Sequence, residues 1–290
     1  MVDMTANAKP ANAKPATAKP ATAAPPATKA RRRSMAARMP SAAISTLSLV
    51  GIVAVWELFG RNVNPIFASH PSAIFHEGVA MVMDGELFEA LLQSLQPLAT
   101  GYFIAAATGI PLGLLIGRYR WAEAGLGLYL TAGYATPLVA LIPLFILWFG
   151  LGFEVKVAIV AVLAVFPIAI NTWAGAKGVP RTLIELGRTF VGSQFQIMTK
   201  IVIPATLPYI MVGLKLAVGR SIIAIVVAEF FTLLTGLGGI ILKAGDSFDT
   251  ARMFVPVMVL MGLGITLTWL VGWLEHKVAP WQRELSDQER

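Results

Sequence analysis

The chain has 290 residues, of which 56% are hydrophobic and only 13% are charged, and its formal net charge is +7. A soluble domain of this length has about a quarter of its residues charged, so the composition argues against one. The absence of cysteine excludes disulfides, thiolate metal sites and a cysteine nucleophile. The basic residues lie mostly beside apolar blocks, where orientation in a membrane explains them better than nucleic-acid binding.

Residues 1–40 form a low-complexity segment built on Ala-Asn-Ala-Lys-Pro and Ala-Thr-Ala-Lys-Pro units. Such a segment has too few large apolar side chains to form a core, so it is predicted to be disordered. Its last part holds Arg31, Arg32, Arg33 and Arg38. This cluster predicts a cytoplasmic tail that contacts anionic membrane lipid, and the less favoured alternative is an organelle transit peptide.

Six apolar segments follow, each long enough to cross a ~30 Å hydrocarbon core as a helix. The predicted spans are 41–60, 97–117, 124–149, 155–174, 206–231 and 253–275. Residues 61–90 are predicted to be external, 91–280 to form the core domain with a long loop at 175–205, and 281–290 to form a second cytoplasmic tail. The sequence therefore predicts an all-α integral membrane protein.

Basic residues predict the orientation of these spans. If both termini are cytoplasmic, 17 of them lie on the cytoplasmic side and four on the outer side, and two more, Lys215 and Arg220, fall within a span. Cytoplasmic loops of membrane proteins carry an excess of Lys and Arg, so we expect both termini in the cytoplasm.

Small residues recur at every fourth position along the second span. They are Gly101, Ala105, Gly109, Gly113 and Gly117. Such a row lets a second helix approach closely, because no side chain keeps the two backbones apart. We therefore expect this face to pack against another helix.

Prolines interrupt the third span at Pro137 and Pro143. Each removes a backbone donor and tends to kink or break a helix. Broken membrane helices often line a transport pathway, whereas a kink can also serve packing alone. Both interpretations remain open at these positions.

Arg220 and Glu229 place charges inside the fifth span. Nine residues separate them by about 13 Å and half a turn of helix face, so they cannot pair with each other. Both are candidates for the translocation pathway. Arg220 is either a donor to a passing anion or one half of a structural pair with another helix, and Glu229 needs a partner of its own. Asn171 and Thr172 end the predicted fourth span, where they either line the inner mouth of a pathway or cap a helix.

The loop at 175–205 is the most informative stretch. Leu183, Leu186 and Phe190 recur at helical spacing, and Gly192-Ser193 permits a turn before a second short amphipathic piece. Two short amphipathic helices joined by a glycine bend are therefore predicted, either on the membrane surface or in the groove of a partner protein.

This stretch resembles the EAA loop of binding-protein-dependent ABC permeases, whose pattern is Glu-Ala-Ala, three residues, Gly, nine residues, Ile, one residue, Leu-Pro. Glu185, Leu186 and Gly187 take the places of Glu-Ala-Ala, and Ile201, Ile203 and Pro204 fall in register at the far end. Val191 stands at the motif glycine, and Gly192 follows one place later. The glycine of the bend is therefore shifted by one position relative to the pattern.

Further stretches are similar to the nitrate, sulfonate, taurine and bicarbonate branch of this family. They include Ser94-Leu95, 143–152, 166–172, 227–229 and 236–238. The resemblance implies the type I ABC importer permease fold in a bacterial plasma membrane. It also implies that the loop couples to an ATPase through Glu185, Gly187, Phe190, Val191, Gly192, Ser193, Phe195 and Pro204.

The resemblance further implies two ATPase subunits, a second permease copy and a periplasmic or lipid-anchored solute-binding protein. The sequence has no Gly-x-x-x-x-Gly-Lys-Ser/Thr motif, so ATP and Mg²⁺ are expected in the partner ATPase. No catalytic set and no metal-ligand spacing are evident, and we expect neither catalysis nor a cofactor in this chain.

The substrate remains open between a small anion of that branch and a vitamin precursor or aromatic acid. A different class of protein is an ion-coupled carrier or a channel that acts alone. Such a protein would need inverted repeats or polar pore-lining rings, and neither is evident in the sequence. We therefore favour the importer permease.

Overall fold

The computed structural model describes residues 41–190 and 192–279. The predicted tails at 1–40 and 281–290, and Val191 in the loop, therefore lie outside the described residues. The described part consists of helices and short connections, which confirms the predicted all-α class. The described residues divide into two units between Leu49 and Val50, and the unit that follows this division holds the hydrophobic core.

Eleven α-helices follow one another along the described residues. They are α1 Ser41–Arg61, α2 Pro71–Met83, α3 Glu86–Arg118, α4 Arg120–Ala135, α5 Ile142–Phe149, α6 Phe153–Lys177, α7 Arg181–Thr189, α8 Gln194–Ile197, α9 Ile203–Phe231, α10 Gly236–Asp246 and α11 Thr250–Val278. Five helical segments are long and apolar enough to cross a membrane, and a sixth is counted when α4 and α5 are taken together. The predicted span positions agree with these helices.

The third predicted span is broken rather than merely kinked. α4 and α5 meet at an angle of 87°, with a 3₁₀ turn at Leu138–Leu141 between them. Pro137 lies immediately before that turn and Pro143 lies in the first turn of α5. A proline is well suited to the first turn of a helix, where its missing N–H costs nothing.

The small-residue row of α3 lies along α6. A Cβ added at Gly101 would come within 2.7 Å of Val160 Cβ, and one at Gly113 within 2.5 Å of the Ala169 carbonyl oxygen. Ala105 is fully buried between these glycines. The two backbones therefore approach as closely as glycine allows, which is how small residues hold membrane helices together.

The same contacts show that α3 and α6 run parallel. Gly101, midway along α3, lies against Val157, and Gly117, near its end, lies against Trp173. The α4–α5 pair must therefore carry the chain from the end of α3 back to the level of its start. The bent pair is one crossing of the bundle, and α3, α4–α5 and α6 alternate in direction.

α9 completes the core and runs antiparallel to both helices. A Cβ on Gly175, late in α6, would lie 2.6 Å from the Cβ of Tyr209, early in α9. Tyr102 of α3 donates to the Leu214 carbonyl at 3.0 Å. We call the end of the bundle with Glu86 and Phe231 the α10 end, and the opposite end, with Lys177 and the connection to α9, the loop end.

Ion pairs connect neighbouring helices towards both ends of the bundle. Arg252 of α11 contacts Glu77 of α2 and Glu86 of α3 at the α10 end. Towards the loop end, Lys215 of α9 lies 2.5 Å from Glu275 of α11. Lys215 was predicted to fall within a span, and its partner is a half-buried acid of the neighbouring helix.

Candidate functional site

The loop between α6 and α9 forms the two helical pieces that the sequence predicts. α7 occupies Arg181–Thr189 and α8 occupies Gln194–Ile197. The second piece is not a separate helix, however. A π-helical turn at Met198–Val202 continues it directly into α9, so Gln194–Phe231 is one helical segment of 38 residues. Pro204 directly follows that π-helical turn, as the second residue of α9.

Large apolar side chains of this loop face away from the bundle. Leu186 is 54% exposed, Phe190 is 77% exposed and Phe195 is 76% exposed. Beside them lies a cleft of about 250 Å³, lined by Gly187, Phe190, Gly192, Gln196, Ile197, Lys200 and Ile201. A contiguous apolar surface of this kind, outside the spans, indicates a surface that another molecule covers.

The underside of the loop is packed against the bundle. Ile197 is almost fully buried and belongs to a cluster with Ala176, Val179 and Val202. Arg118, at the end of α3, donates to the Gln194 side chain at 3.2 Å. The loop therefore packs against the ends of α3 and α6, so a displacement of the loop would also displace these helices.

The bend between α7 and α8 depends on close approach. The Gly192 N–H donates to the Gly187 carbonyl at 3.1 Å, and a Cβ on Gly192 would lie 2.7 Å from that oxygen. Glycine is needed here because the neighbouring backbone leaves no room for a side chain.

Ser193 has a role that the sequence argument missed. Its hydroxyl accepts from the Gln196 N–H at 3.2 Å, while the Gln196 side chain accepts from the Ser193 N–H at 2.9 Å. This reciprocal pair is a capping box, which starts α8. The signal was present in the sequence as Ser-x-x-Gln. Glu185 is exposed on α7, and its carbonyl accepts from the Thr189 hydroxyl at 3.0 Å.

A second candidate site lies at the break between α4 and α5. A cavity of about 130 Å³ there is lined by Tyr134, Thr136, Pro137, Leu138, Val139, Leu163, Phe166 and Arg220. The Arg220 guanidinium carbon lies 5.7 Å from the centre of the Tyr134 ring, which is a cation–π contact. Within residues 41–190 and 192–279, no carboxylate forms an ion pair with Arg220. Two predicted pathway residues, Pro137 and Arg220, are thus brought together.

Glu229 lies elsewhere, in a buried polar cluster at the α10 end. Its side chain is 0% exposed and accepts from the Ser94 hydroxyl at 2.7 Å and from the Gly238 N–H at 2.8 Å. Lys156 Nζ lies 3.5 Å from the same carboxylate. Lys156 is itself buried, and sequence spacing alone could not predict this pair because it does not relate α6 to α9.

Asn171 and Thr172 do not end a helix, because α6 continues to Lys177. The helix-cap interpretation is therefore wrong. The Asn171 side chain donates to the Pro167 carbonyl at 2.7 Å and packs beside Gly213 of α9. The Thr172 side chain is buried against Gly113. Both residues lie in helix–helix contacts of the core.

The fold is that of a subunit of a membrane transporter. The family described as binding-protein-dependent transport system inner membrane component matches residues 109–280, and the chain belongs to it. The solved structure of the MetNI methionine ABC transporter has the same fold, with a TM-score of 0.53 over 64% of this chain and 93% of that chain at 20% identity. The protein is therefore a multi-pass permease subunit of an ABC importer.

Three relatives from other organisms have names that refer to a transported solute. A permease of Bacillus subtilis named for aliphatic sulfonate transport, SsuC, is 31% identical over 80% of this chain and 84% of the relative. The nitrate import permease NrtB of Leptolyngbya laminosa is 30% identical over 82% and 87%. The formylaminopyrimidine transport permease ThiX of Halalkalibacterium halodurans is 30% identical over 82% and 96%. A permease of this class works with an ATPase and a solute-binding protein.

Proposed function

We propose that two copies of this permease assemble with two ATPase subunits and import a small anion delivered by a solute-binding protein. ATP and Mg²⁺ are bound by the ATPases and not by this chain. ATP binding draws the two ATPases together, the loops between α6 and α9 move with them, and the helices alternate between outward and inward openings. This mechanism needs a bistable bundle and a firm attachment to the ATPase.

The observation that carries this proposal is the exposed face of the loop. Phe190 and Phe195 are more than three-quarters exposed although they lie beside a cleft that could bury a partner's side chain. Aromatic side chains in such positions are typical centres of protein interfaces. The ATPase is the partner, because its groove would cover α7 and the start of α8 on the cytoplasmic side.

The orientation that this requires follows from charge. With the loop end in the cytoplasm, Arg118, Arg120, Arg181, Arg188 and Lys200 lie there, which agrees with the positive-inside rule. Because α3, α4–α5, α6, α9 and α11 cross in alternation, the C-terminal end of α11 also lies in the cytoplasm. If α1 also crosses, its first residue, Ser41, lies on the cytoplasmic side.

The test of the coupling role is Phe190→Ala in the full complex. Truncating an interface aromatic costs about 2 kcal/mol or more, which is roughly a thirtyfold loss in affinity. We expect the purified permease to retain its stability but to lose its ATPase during purification. The matched control is Phe248→Ala, because Phe248 is also exposed, at 66%, but lies at the α10 end.

Equal recovery of the ATPase with Phe190→Ala and with Phe248→Ala would contradict the coupling role. The loop would then be a membrane-surface element. Loss of ATPase in both variants would point to general damage, and a thermal-stability measurement on each purified permease distinguishes this from a specific effect.

Arg220 supports an anion as the transported solute. A guanidinium without a carboxylate partner, inside a span and in a cavity of about 130 Å³, can donate several hydrogen bonds to a small oxyanion. Charged side chains inside spans usually face a partner or a water-filled path. Nitrate and alkanesulfonates, after which two of the relatives are named, carry the matching charge.

The substrate test compares Arg220→Gln with Arg220→Lys in proteoliposomes that contain the whole complex. Uptake of labelled nitrate and of an alkanesulfonate is measured, together with thermal stability. We expect Arg220→Gln to reduce uptake about tenfold or more at unchanged stability, and Arg220→Lys to retain an intermediate rate. Unchanged uptake with Arg220→Gln would contradict the anion role. If the complex takes up a formylaminopyrimidine but neither anion, the transported solute is a vitamin precursor and not an anion.

A further inference from the structure

The first turn of α10 is held by side chains from two other helices. A helix leaves its first N–H groups without partners inside the helix, and a local side chain usually accepts from one of them. Thr235, which precedes α10, makes no such bond. Instead, three N–H groups donate to distant side chains: Gly236 to Gln93 at 2.9 Å, Leu237 to Ser94 at 2.9 Å, and Gly238 to Glu229 at 2.8 Å.

Lys156 extends this arrangement to a third helix. Its ammonium group donates to the Thr235 hydroxyl at 2.8 Å and lies 3.5 Å from Glu229. We call Ser94, Lys156 and Glu229 the α10 clamp, since they come from α3, α6 and α9 and all three are buried. A buried ion pair adds little net stability compared with apolar residues, so stability alone is a weak reason for it.

The approach of the backbone to the clamp is unusually close. A Cβ on Gly238 would lie 2.8 Å from Glu229 Cβ, and a Cβ on Gly236 would overlap the Glu229 carboxylate. Gly236 also has a φ of 74°, which glycine adopts without strain. The N-terminus of α10 therefore cannot shift relative to α3, α6 and α9 together without breaking several hydrogen bonds at once.

The helices of the clamp are also the helices of the coupling loop. α6 ends at Lys177 and α9 begins at Ile203, so the loop between them is attached to both. Glu229 lies about 39 Å along α9 from Ile203, at 1.5 Å per residue. The same two helices therefore hold the loop at one end of the bundle and the start of α10 at the other.

We propose that the α10 clamp transmits the movement of the coupling loop to α10, so that α10 opens and closes the outer end of the permease in step with the ATPase. The proposal rests on the ATPase coupling proposed above. Ser94, Lys156 and Glu229 are positioning residues in it, and none of them contacts the transported solute. Breaking the clamp should leave the complex assembled but should separate ATP hydrolysis from events at the outer face.

The first test is Lys156→Met, which keeps the length of the side chain and removes its charge. The full complex is reconstituted, and ATP hydrolysis is measured with and without its solute-binding protein, loaded with whichever of nitrate or an alkanesulfonate the wild type imports. We expect basal hydrolysis within about twofold of wild type, and at least a tenfold loss of both stimulation and uptake. The matched control is Lys215→Met, which removes the other Lys–Glu pair of α9 and should preserve stimulation.

The second test replaces the clamp with a covalent bond. In Glu229→Cys/Gly238→Cys the two Cβ positions lie closer than the ~3.8 Å usual for a disulfide, so a small shift suffices. No other cysteine is present. We expect the reduced complex to be uncoupled and the oxidised complex to regain at least half of the wild-type uptake.

Three outcomes would overturn the proposal. Full stimulation with Lys156→Met would mean that the clamp transmits nothing. Loss of assembly with Lys156→Met and with the double-cysteine variant would mean that it serves folding alone. Uptake by the reduced complex but not by the oxidised one would mean that α10 must move away from α9. A wild-type complex without any stimulation would instead count against the proposed importer function.

Discussion

Gly113→Ala tests the contact between α3 and α6 with a single methyl group. The added Cβ would lie 2.5 Å from the Ala169 carbonyl oxygen and 2.6 Å from Thr172 Cβ, whereas ordinary contacts begin at 3.4 Å. The backbones would have to separate by about 0.9 Å at this point. Because both obstacles are close to the main chain of α6, no flexible side chain can move away to make room.

The expected cost is about 1–3 kcal/mol, which is typical of an extra methyl group in a packed core. Alanine also favours a helix over glycine by about 1 kcal/mol, and this gain offsets part of the cost. Gly125→Ala in α4 isolates the packing effect, because nothing lies within 4 Å of its Cβ position. The two variants share the same gain in helix propensity, so their difference measures the contact.

The assay is the midpoint of thermal aggregation of the detergent-solubilised permease. We expect Gly113→Ala to fall several degrees below wild type, Gly125→Ala to match or exceed wild type, and Gly109→Ala to lie between them. Gly109 is intermediate because its closest contacts are 3.1 Å. Equal midpoints for Gly113→Ala and Gly125→Ala would refute the reasoning, since the row would then have room for a side chain.

Lys215→Met should lower the thermal midpoint by the equivalent of about 1–2 kcal/mol, because Glu275 loses its partner in a half-buried site. A second change, Glu275→Gln, should restore most of the loss. A midpoint unchanged by Lys215→Met would contradict this prediction. Arg188→Cys should be labelled by an impermeant thiol reagent only after the cells are opened, and Asp84→Cys should be labelled in intact cells; the reverse pattern would invert the topology. Gly192→Ala should reduce recovery of the ATPase with the permease, because its Cβ would strike the Gly187 carbonyl. Full recovery would mean that the bend can relax.

The sequence predicts the crossings of this fold well because each crossing has its own signal. An apolar block of about 20 residues identifies a membrane helix without reference to any neighbour. The small-residue row of α3 likewise announces a tight contact, since small residues at every fourth position share one helix face. The row does not indicate which helix packs against it, and the structure identifies that helix as α6 of the same chain.

The sites were less predictable where they depend on tertiary contacts. Glu229 was recognised as an intramembrane charge, but Lys156 lies 73 positions away and Ser94 lies 135 positions away, and no local pattern relates them. Pro137 and Arg220 were each singled out, and only the bend between α4 and α5 shows that they line one cavity. The Ser193 capping box is the exception, because its local signal was available.

The parallel contact of α3 and α6 has a consequence for how such chains diverge. Gly101, Gly109, Gly113 and Gly117 each meet the residue 59 positions later, so one numerical offset holds along the whole contact. An insertion or deletion between the two helices changes this offset but leaves every pairing intact. An insertion or deletion of one residue inside either helix rotates the rest of that helix by about 100° and turns the glycines away from their partners. Length variation among relatives should therefore concentrate between the two helices, around residues 119–152, and substitutions at paired positions should be correlated.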